Sequence, residues 1–250
     1  MTILITGATF GIGKSCAEIF AAKKHDLILC GRRKERLEEL KLKLENTHAI
    51  KVCCLVFDIR RYDEVETAMA SLSGEWQKID VLINNAGLAA GLSSIQDGLL
   101  DHWERMIDTN IKGLLYISKL VTNLMIPRKS GHIINLGSIA GKEVYANGNV
   151  YCATKHAVDA LNKAMRIDLL PHNIRVTAIH PGMVETEFSL VRFDGDAERA
   201  SKVYLGMEPL HPEDIAESIY WVASRPEHVN INELTIMPRV QASATQVIRK

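Results

Sequence analysis

TGATFGIG, residues 6–13, leaves the apolar run TILIT (2–6) and enters a segment with Ile12, Cys16, Ile19 and Phe20 at helical spacing. A glycine-rich turn between a strand and a helix has a physical purpose. Gly7 permits the tight turn, while Gly11 and Gly13 let backbone approach a pyrophosphate and let the helix pack on a sheet. Thr9 and Ile12 lie in the same loop, at the helix N-terminus that would face the phosphates. The spacing is GxxxGxG rather than GxGxxG. Glycine turns also precede many helices for purely structural reasons, so the ligand has to be read from the rest of the chain.

Outward from this turn, short apolar β-branched runs alternate with longer helical patterns. The strands read as TILIT, DLILC, KVCCLVFD, IDVLINN, HIINLGS, IRVTAIHPG and NELTIM. Helices read over Ile12–Lys24, Arg33–Glu45, Tyr62–Leu72, Asp101–Met125, Asn149–Leu170 and Pro212–Ala223. Strands apolar on both sides and separated by helices predict an α/β fold. The expected form is a single-domain, Rossmann-type, doubly wound parallel sheet of about seven strands with helices on both faces, over residues 1–250. Ligands then bind outside the carboxyl ends of the strands. The irregular stretch 183–211 is the longest break near those ends and reads as a substrate lid.

Bulk properties narrow the function classes. Lys plus Arg and Asp plus Glu are 30 each, so the formal net charge is zero and nothing favours nucleic acid or an anionic membrane as partner. There is no run of eighteen apolar residues and no signal-like N-terminal pattern, which sets a cytoplasmic protein as the expectation. The five cysteines have no CxxC spacing and the nine histidines no HExxH pattern. They read as core thiols and ordinary histidines, with no metal expected.

The second strand runs into Gly31-Arg32-Arg33. An Asp or Glu here would hold a ribose 2′-hydroxyl, whereas two arginines suit a 2′-phosphate, so NADP is preferred to NAD. Cations are disfavoured at a helix start, so Arg32 and Arg33 ask for an anion. Asp58 ends the third strand, where its carboxylate suits an adenine amino group and the neighbouring main chain at Ile59 the ring edge; a helix N-cap is the competing reading. Asn85, Ala86 and Gly87 follow the fourth strand and allow close passage of a ribose, although NNAG also makes an ordinary turn.

Tyr151 and Lys155 are one helical turn apart on one face. A tyrosine titrates near ~10, and an ammonium beside it favours the phenolate, so Tyr151 could exchange a proton with a substrate hydroxyl. Ser138, closing the fifth strand, could hold the reacting oxygen. Asn110, a poor helix residue inside a long helix, could break the backbone ladder and hold a water linking Lys155 to solvent.

Taken jointly and in this order, these motifs resemble the short-chain dehydrogenase/reductase family over nearly the whole chain. The resemblance implies a catalytic tetrad of Asn110, Ser138, Tyr151 and Lys155, with Lys155 also bonding the nicotinamide ribose. It implies that Pro181, Gly182, Val184 and Thr186 form the segment holding the carboxamide. The stretches GRRKERLEEL, MIDTNIKGLLY, GHIINLGSIAG, GNVYCATK, TEFSLVRFDGD and HVNINELTIMP are similar to the NADP-dependent 3-hydroxy acid (serine or L-allo-threonine) dehydrogenases. That likeness implies a small 3-hydroxy acid as substrate and a cation for its carboxylate. Arg192 in the lid is the candidate, against a surface or interface salt bridge; Tyr145 and Asn149 are further candidate pocket residues. Phe10 inside the phosphate loop and Glu143 near an anionic substrate depart from this picture. The tetrad serves equally a reductase of other carbonyls, such as 3-ketoacyl thioesters, sugars or steroids. An NADP sensor without turnover is a third reading. Family membership implies a homotetramer, with a dimer as alternative. The tail QASATQVIRK is expected to reach a neighbouring subunit or to be mobile.

Overall fold

A computed structural model describes all residues, 1–250. Seven strands form one sheet: β1 (Thr2–Thr6), β2 (Asp26–Gly31), β3 (Val52–Val56), β4 (Val81–Asn84), β5 (Gly131–Leu136), β6 (Ile174–Pro181) and β7 (Glu233–Ile236). Their order is 3-2-1-4-5-6-7 and every pairing is parallel. The order reverses between β1 and β4, so a crevice opens there at the carboxyl ends of the strands.

The strands' two-residue alternation feeds two apolar layers. Ile3 and Ile5 face a cluster with Phe20, Leu37, Leu44 and Ile219, from the helices α1 (Gly11–Ala22), α2 (Lys34–His48) and α9 (Pro212–Ala223). Leu4 points to the opposite layer, with Val65, Ile117, Val121 and Leu169. These come from α3 (Tyr62–Ala70), α5 (Leu114–Met125) and α6 (Asn149–Leu169). Both sides of the sheet are thus covered, as continuous apolar strands require.

The expected single helix 101–125 is divided. α4 (Leu100–Ile107) and α5 are joined by a π-helical segment, Asp108–Gly113, which contains Asn110. The widened turn presses against the β3–α3 connection: a Cβ at Gly113 would come 3.0 Å from Ile59 Cγ2 and 3.2 Å from its carbonyl oxygen. Asn110 and Thr109 are buried there, so the ladder is distorted at the residue singled out as a poor helix former.

The stretch 183–211 is less irregular than its sequence suggests, since α7 (Phe188–Arg192) and α8 (Ala197–Lys202) lie within it. Of the two expectations for the tail, mobility is corrected. Residues 241–250 fold back on their own chain: the Lys250 N–H donates to Gly206 O (2.8 Å) and the Ile248 N–H to Val240 O (2.9 Å). Gln241, polar as it is, is buried because its Oε1 accepts the Met183 N–H at 2.8 Å. No helix is long and apolar enough to cross a membrane.

Candidate active site

A cavity of about 510 Å³ opens at the carboxyl ends of the strands and extends from the β2 end to α7. One wall is the turn 6–13. Gly7 and Gly11 have left-handed φ of 65° and 52°. At Gly13 a Cβ would lie 2.4 Å from both Gly7 O and Asn85 Nδ2, so only glycine lets α1 start this close to the turn. Asn85 Nδ2 donates to Thr6 O (2.9 Å) and Gly7 O (3.1 Å). Thr6 Oγ1 accepts the Asn85 and Ala86 N–H groups. No side chain caps α1, and Gly11 and Ile12 at its start line the cavity, so its first N–H groups suit an anion.

Beyond the turn the cavity is bounded by charges. The Arg33 guanidinium stacks over Phe10, 4.9 Å from the ring centroid, and donates to Thr9 Oγ1 at 3.1 Å. The bulk of Phe10 thus supports the arginine rather than obstructing the loop. Burial and the neighbouring Arg36 push the Arg33 guanidinium down, and Glu187 offsets this from 3.7 Å. Glu187 also pairs with Arg36 at 3.4 Å. Cations this crowded fit a further anion.

Asp58 lines the cavity, but its carboxylate is engaged by Arg60, whose Nε donates to Oδ1 at 3.0 Å and Nη2 to Oδ2 at 2.6 Å. Arg32 lies 3.8 Å away. Burial alone would raise the Asp58 carboxyl; Arg60, with Arg32 adding, holds it below its usual value. The N-cap reading of Asp58 is corrected: α3 is preceded by Arg61 and has no side-chain cap. Ile59, Ala86, Gly87, Pro181, Gly182, Val184 and Thr186 all line the same cavity.

The inner end is buried. Tyr151, Lys155 and Asn110 are buried. Asn110 spends its whole side chain on structure: Nδ2 donates to Leu88 O (2.8 Å) and Thr154 Oγ1 (3.0 Å), and Oδ1 accepts the Leu88 N–H (2.9 Å). Lys155 Nζ donates to Leu136 O at 2.8 Å and sits 6.0 Å from the Tyr151 ring centroid. Burial lowers the Lys155 ammonium to about 8. Ser138 Oγ accepts the Ala140 N–H at 3.1 Å.

One expectation changes here. Burial pushes the Tyr151 hydroxyl well above its ordinary value, and the cation that pulls it back is Arg192, with Ser138 acting in the same direction. The Arg192 guanidinium carbon lies 5.1 Å from the Tyr151 centroid, and its Nη2 donates to the Tyr145 hydroxyl at 2.9 Å. Arg192 Nε is buried without a hydrogen-bond partner. Asn149 is turned elsewhere, with Nδ2 donating to Ser93 O at 2.9 Å. Glu143 does not oppose an anion in the cavity, because its Oε2 accepts the Ala244 N–H at 2.8 Å.

The sequence profile of the short chain dehydrogenases matches residues 1–195. The chain belongs to the short-chain dehydrogenase family. As such it is an oxidoreductase of a CH–OH carbon. This short-chain dehydrogenase is 48% identical over 245 residues to an NADP-dependent 3-hydroxy acid dehydrogenase of Salmonella typhi, covering 98% of this chain and 97% of the relative. It is 43% identical to the NADP-dependent 3-hydroxy acid dehydrogenase of Schizosaccharomyces pombe, over 100% of this chain and 96% of that one. A closed form of serine dehydrogenase complexed with NADP+ superposes with a TM-score of 0.93 at 45% identity, covering both chains completely.

Several residues of this dehydrogenase's site escaped the motif reading. Thr6 is one, and its signal was present, since it stands at the strand end before Gly7. Phe188 packs edge-on against Tyr151 at 5.7 Å. Glu187 and Gln241 gave no signal, because each acts across a long sequence separation.

Proposed function

We propose that this dehydrogenase transfers a hydride between NADP and the 3-hydroxy (3-oxo) carbon of a small 3-hydroxy acid such as L-serine, L-allo-threonine or 3-hydroxyisobutyrate. One observation carries the substrate class: Arg192 lies over Tyr151 at the inner end of the cavity, with a buried Nε that has no acceptor. An unsatisfied guanidinium N–H in a buried site is costly until an anion arrives, and a planar carboxylate matches its fork. The relatives named 3-hydroxy acid dehydrogenase and serine dehydrogenase support the same class.

The roles follow from position. Arg32 and Arg33 hold the 2′-phosphate, in which setting Arg33 leaves Glu187 for a stronger anion. Gly7, Thr9, Gly11 and Ile12 receive the pyrophosphate, with Gly13 behind them letting α1 start close to the turn; Asp58 and Ile59 flank the adenine, and Asn85, Ala86 and Gly87 pass a ribose. Pro181, Gly182, Val184 and Thr186 face the carboxamide. The bound nicotinamide supplies the carbon that accepts or donates the hydride. Tyr151 exchanges the proton of the substrate hydroxyl, Ser138 holds that oxygen, and Lys155 bonds the nicotinamide ribose beside them. Asn110 fixes the loop at Leu88 and the helix at Thr154 around them.

Residues 183–211 act as the lid that brings Arg192 over the substrate, within a single domain spanning 1–250. The working form is a homotetramer in the cytoplasm. Exposed Ile167 and Leu170 at the end of α6 support subunit contacts. The test of the substrate class is Arg192→Met. Charged hydrogen bonds contribute about 1.5–3 kcal/mol, so KM for the acid should rise about 10–150-fold with NADPH affinity unchanged. An unchanged KM removes Arg192 from substrate binding.

A further inference from the structure

His180 is the last residue but one of β6, immediately before Pro181, and is fully buried. Its ring lies against Gly137: a Cβ there would come 2.4 Å from Nδ1 and 2.7 Å from Cε1, so the glycine makes room for the imidazole. Nδ1 is 3.3 Å from the Ser138 carbonyl oxygen. Nε2 faces Asp159 Oδ1 at 3.5 Å. Asp159 is on α6, one turn beyond Lys155 and two beyond Tyr151. One imidazole therefore touches the loop that carries Ser138 and the helix that carries Tyr151 and Lys155, from the strand that leads into Pro181 and Gly182.

The chemistry of these contacts is restrictive. A carbonyl oxygen only accepts, so the bond to Ser138 requires the proton on Nδ1. A neutral imidazole has a single N–H, which leaves Nε2 bare, and Nε2 has no hydrogen-bond partner. A bare nitrogen beside a free carboxylate would be repelled. Asp159, however, is neutralised by Lys142 at 2.8 Å and Lys163 at 2.7 Å, and Lys142 is shared with Glu233 at 2.6 Å. Burial and the Lys142 charge keep His180 from protonating, against the pull of Ser138 O, Asp159 and Glu233.

We propose that His180 is a positioning residue: its Nδ1–H holds the Ser138 main chain and so sets the Ser138 hydroxyl against Tyr151, while the Lys142–Asp159–Lys163 cluster keeps the imidazole in that tautomer. The proposal rests on the reading of Ser138 as the residue that holds the reacting oxygen. A ring that merely fills space would be replaceable by another ring, whereas a hydrogen-bonding tie is replaceable only by another donor.

The experiment compares His180→Phe, His180→Asn and Ser138→Ala in the full chain, measuring kcat, KM for L-serine and NADPH Kd by fluorescence. His180→Phe is expected to lower kcat about tenfold with KM and Kd within about twofold, and His180→Asn, whose amide nitrogen stands where Nδ1 stands and can donate to Ser138 O, to recover most of it. Equal loss in both variants, no loss in kcat, or loss confined to KM or Kd overturns the tie. Full activity in Ser138→Ala would instead remove the reading of Ser138. The tie itself is tested without any variant by 15N NMR of histidine-labelled enzyme at pH 7.5. A His180 protonated on Nδ1 is expected, and one protonated on Nε2 with Nδ1 bare contradicts the proposal, also where His180→Phe fails to fold.

Discussion

The two ends of the cavity use charge in opposite ways. At the β2 end the side chains of Arg32, Arg33, Arg36 and Glu187 are 41–62% exposed; Glu187 pairs with Arg33 at 3.7 Å and with Arg36 at 3.4 Å, and Arg32 lies 3.8 Å from the less exposed Asp58. Such pairs are solvated and screened, contributing about 0–1 kcal/mol each. They exchange partners at little cost, which suits a site that must take up and release a phosphate. At the α6 end Tyr151 and Lys155 are buried, and burial moves both away from their ordinary values. There each charge is felt strongly and a lost partner is costly. On the proposed roles, the same chain separates a weak, adjustable electrostatic site for recognition from a strong, fixed one for proton transfer.

The sharpest way to break this contrast is at the buried end. Tyr151→Phe should cut kcat about 10²–10⁴-fold, the scale of a general acid–base contribution, while NADPH Kd stays within about twofold. A variant that keeps its activity would remove Tyr151 from proton transfer and with it the purpose of the buried site.

Lys155 gives the pH test. Its ammonium titrates at about 8 when folded, against an ordinary value of 10.5. Between those values the unfolded chain binds more protons than the folded one, so this group adds stability as pH rises from 8 to 10.5, with a slope of up to about 1.4 kcal/mol per pH unit. Lys155→Met should flatten that part of the curve of Tm against pH in the cofactor-free protein. An identical curve would show that Lys155 is not desolvated.

The exposed end should give the smallest changes. Arg33→Ala is expected to weaken NADPH binding about tenfold with NADH binding unchanged, and Glu187→Gln to tighten NADPH binding by only about two- to threefold, since it removes a screened competitor. Both effects should shrink at high salt, whereas those of Tyr151 should not.

How far the sequence carried these conclusions depends on the range of the interaction. The fold was legible because each strand's two-residue alternation and each helix's stripe are local, and the seven strand readings coincide with β1–β7. Tyr151 and Lys155 share a helical turn, and Gly7, Gly11 and Gly13 share a loop, so fixed local geometry placed them. The division of the 101–125 helix was legible only in part: Asn110 marked the weak point, but the close approach of Gly113 to Ile59 at the π-turn is a contact between distant segments. The folding back of 241–250 was hidden, because a polar Gln241 becomes core only when the Met183 N–H needs an acceptor. The influence of Arg192 on Tyr151 was hidden for the same reason, 41 residues along the chain being bridged by the packing of α7.

The most direct test follows cofactor reduction in parallel with NADP+ and NAD+. The substrates are L-serine, L-allo-threonine and 3-hydroxyisobutyrate, with a simple secondary alcohol as control. The account predicts turnover with NADP+ on the β-hydroxy acids and little with NAD+ or with the control. Turnover only with NAD+, or on the plain alcohol as readily as on the acids, would contradict it.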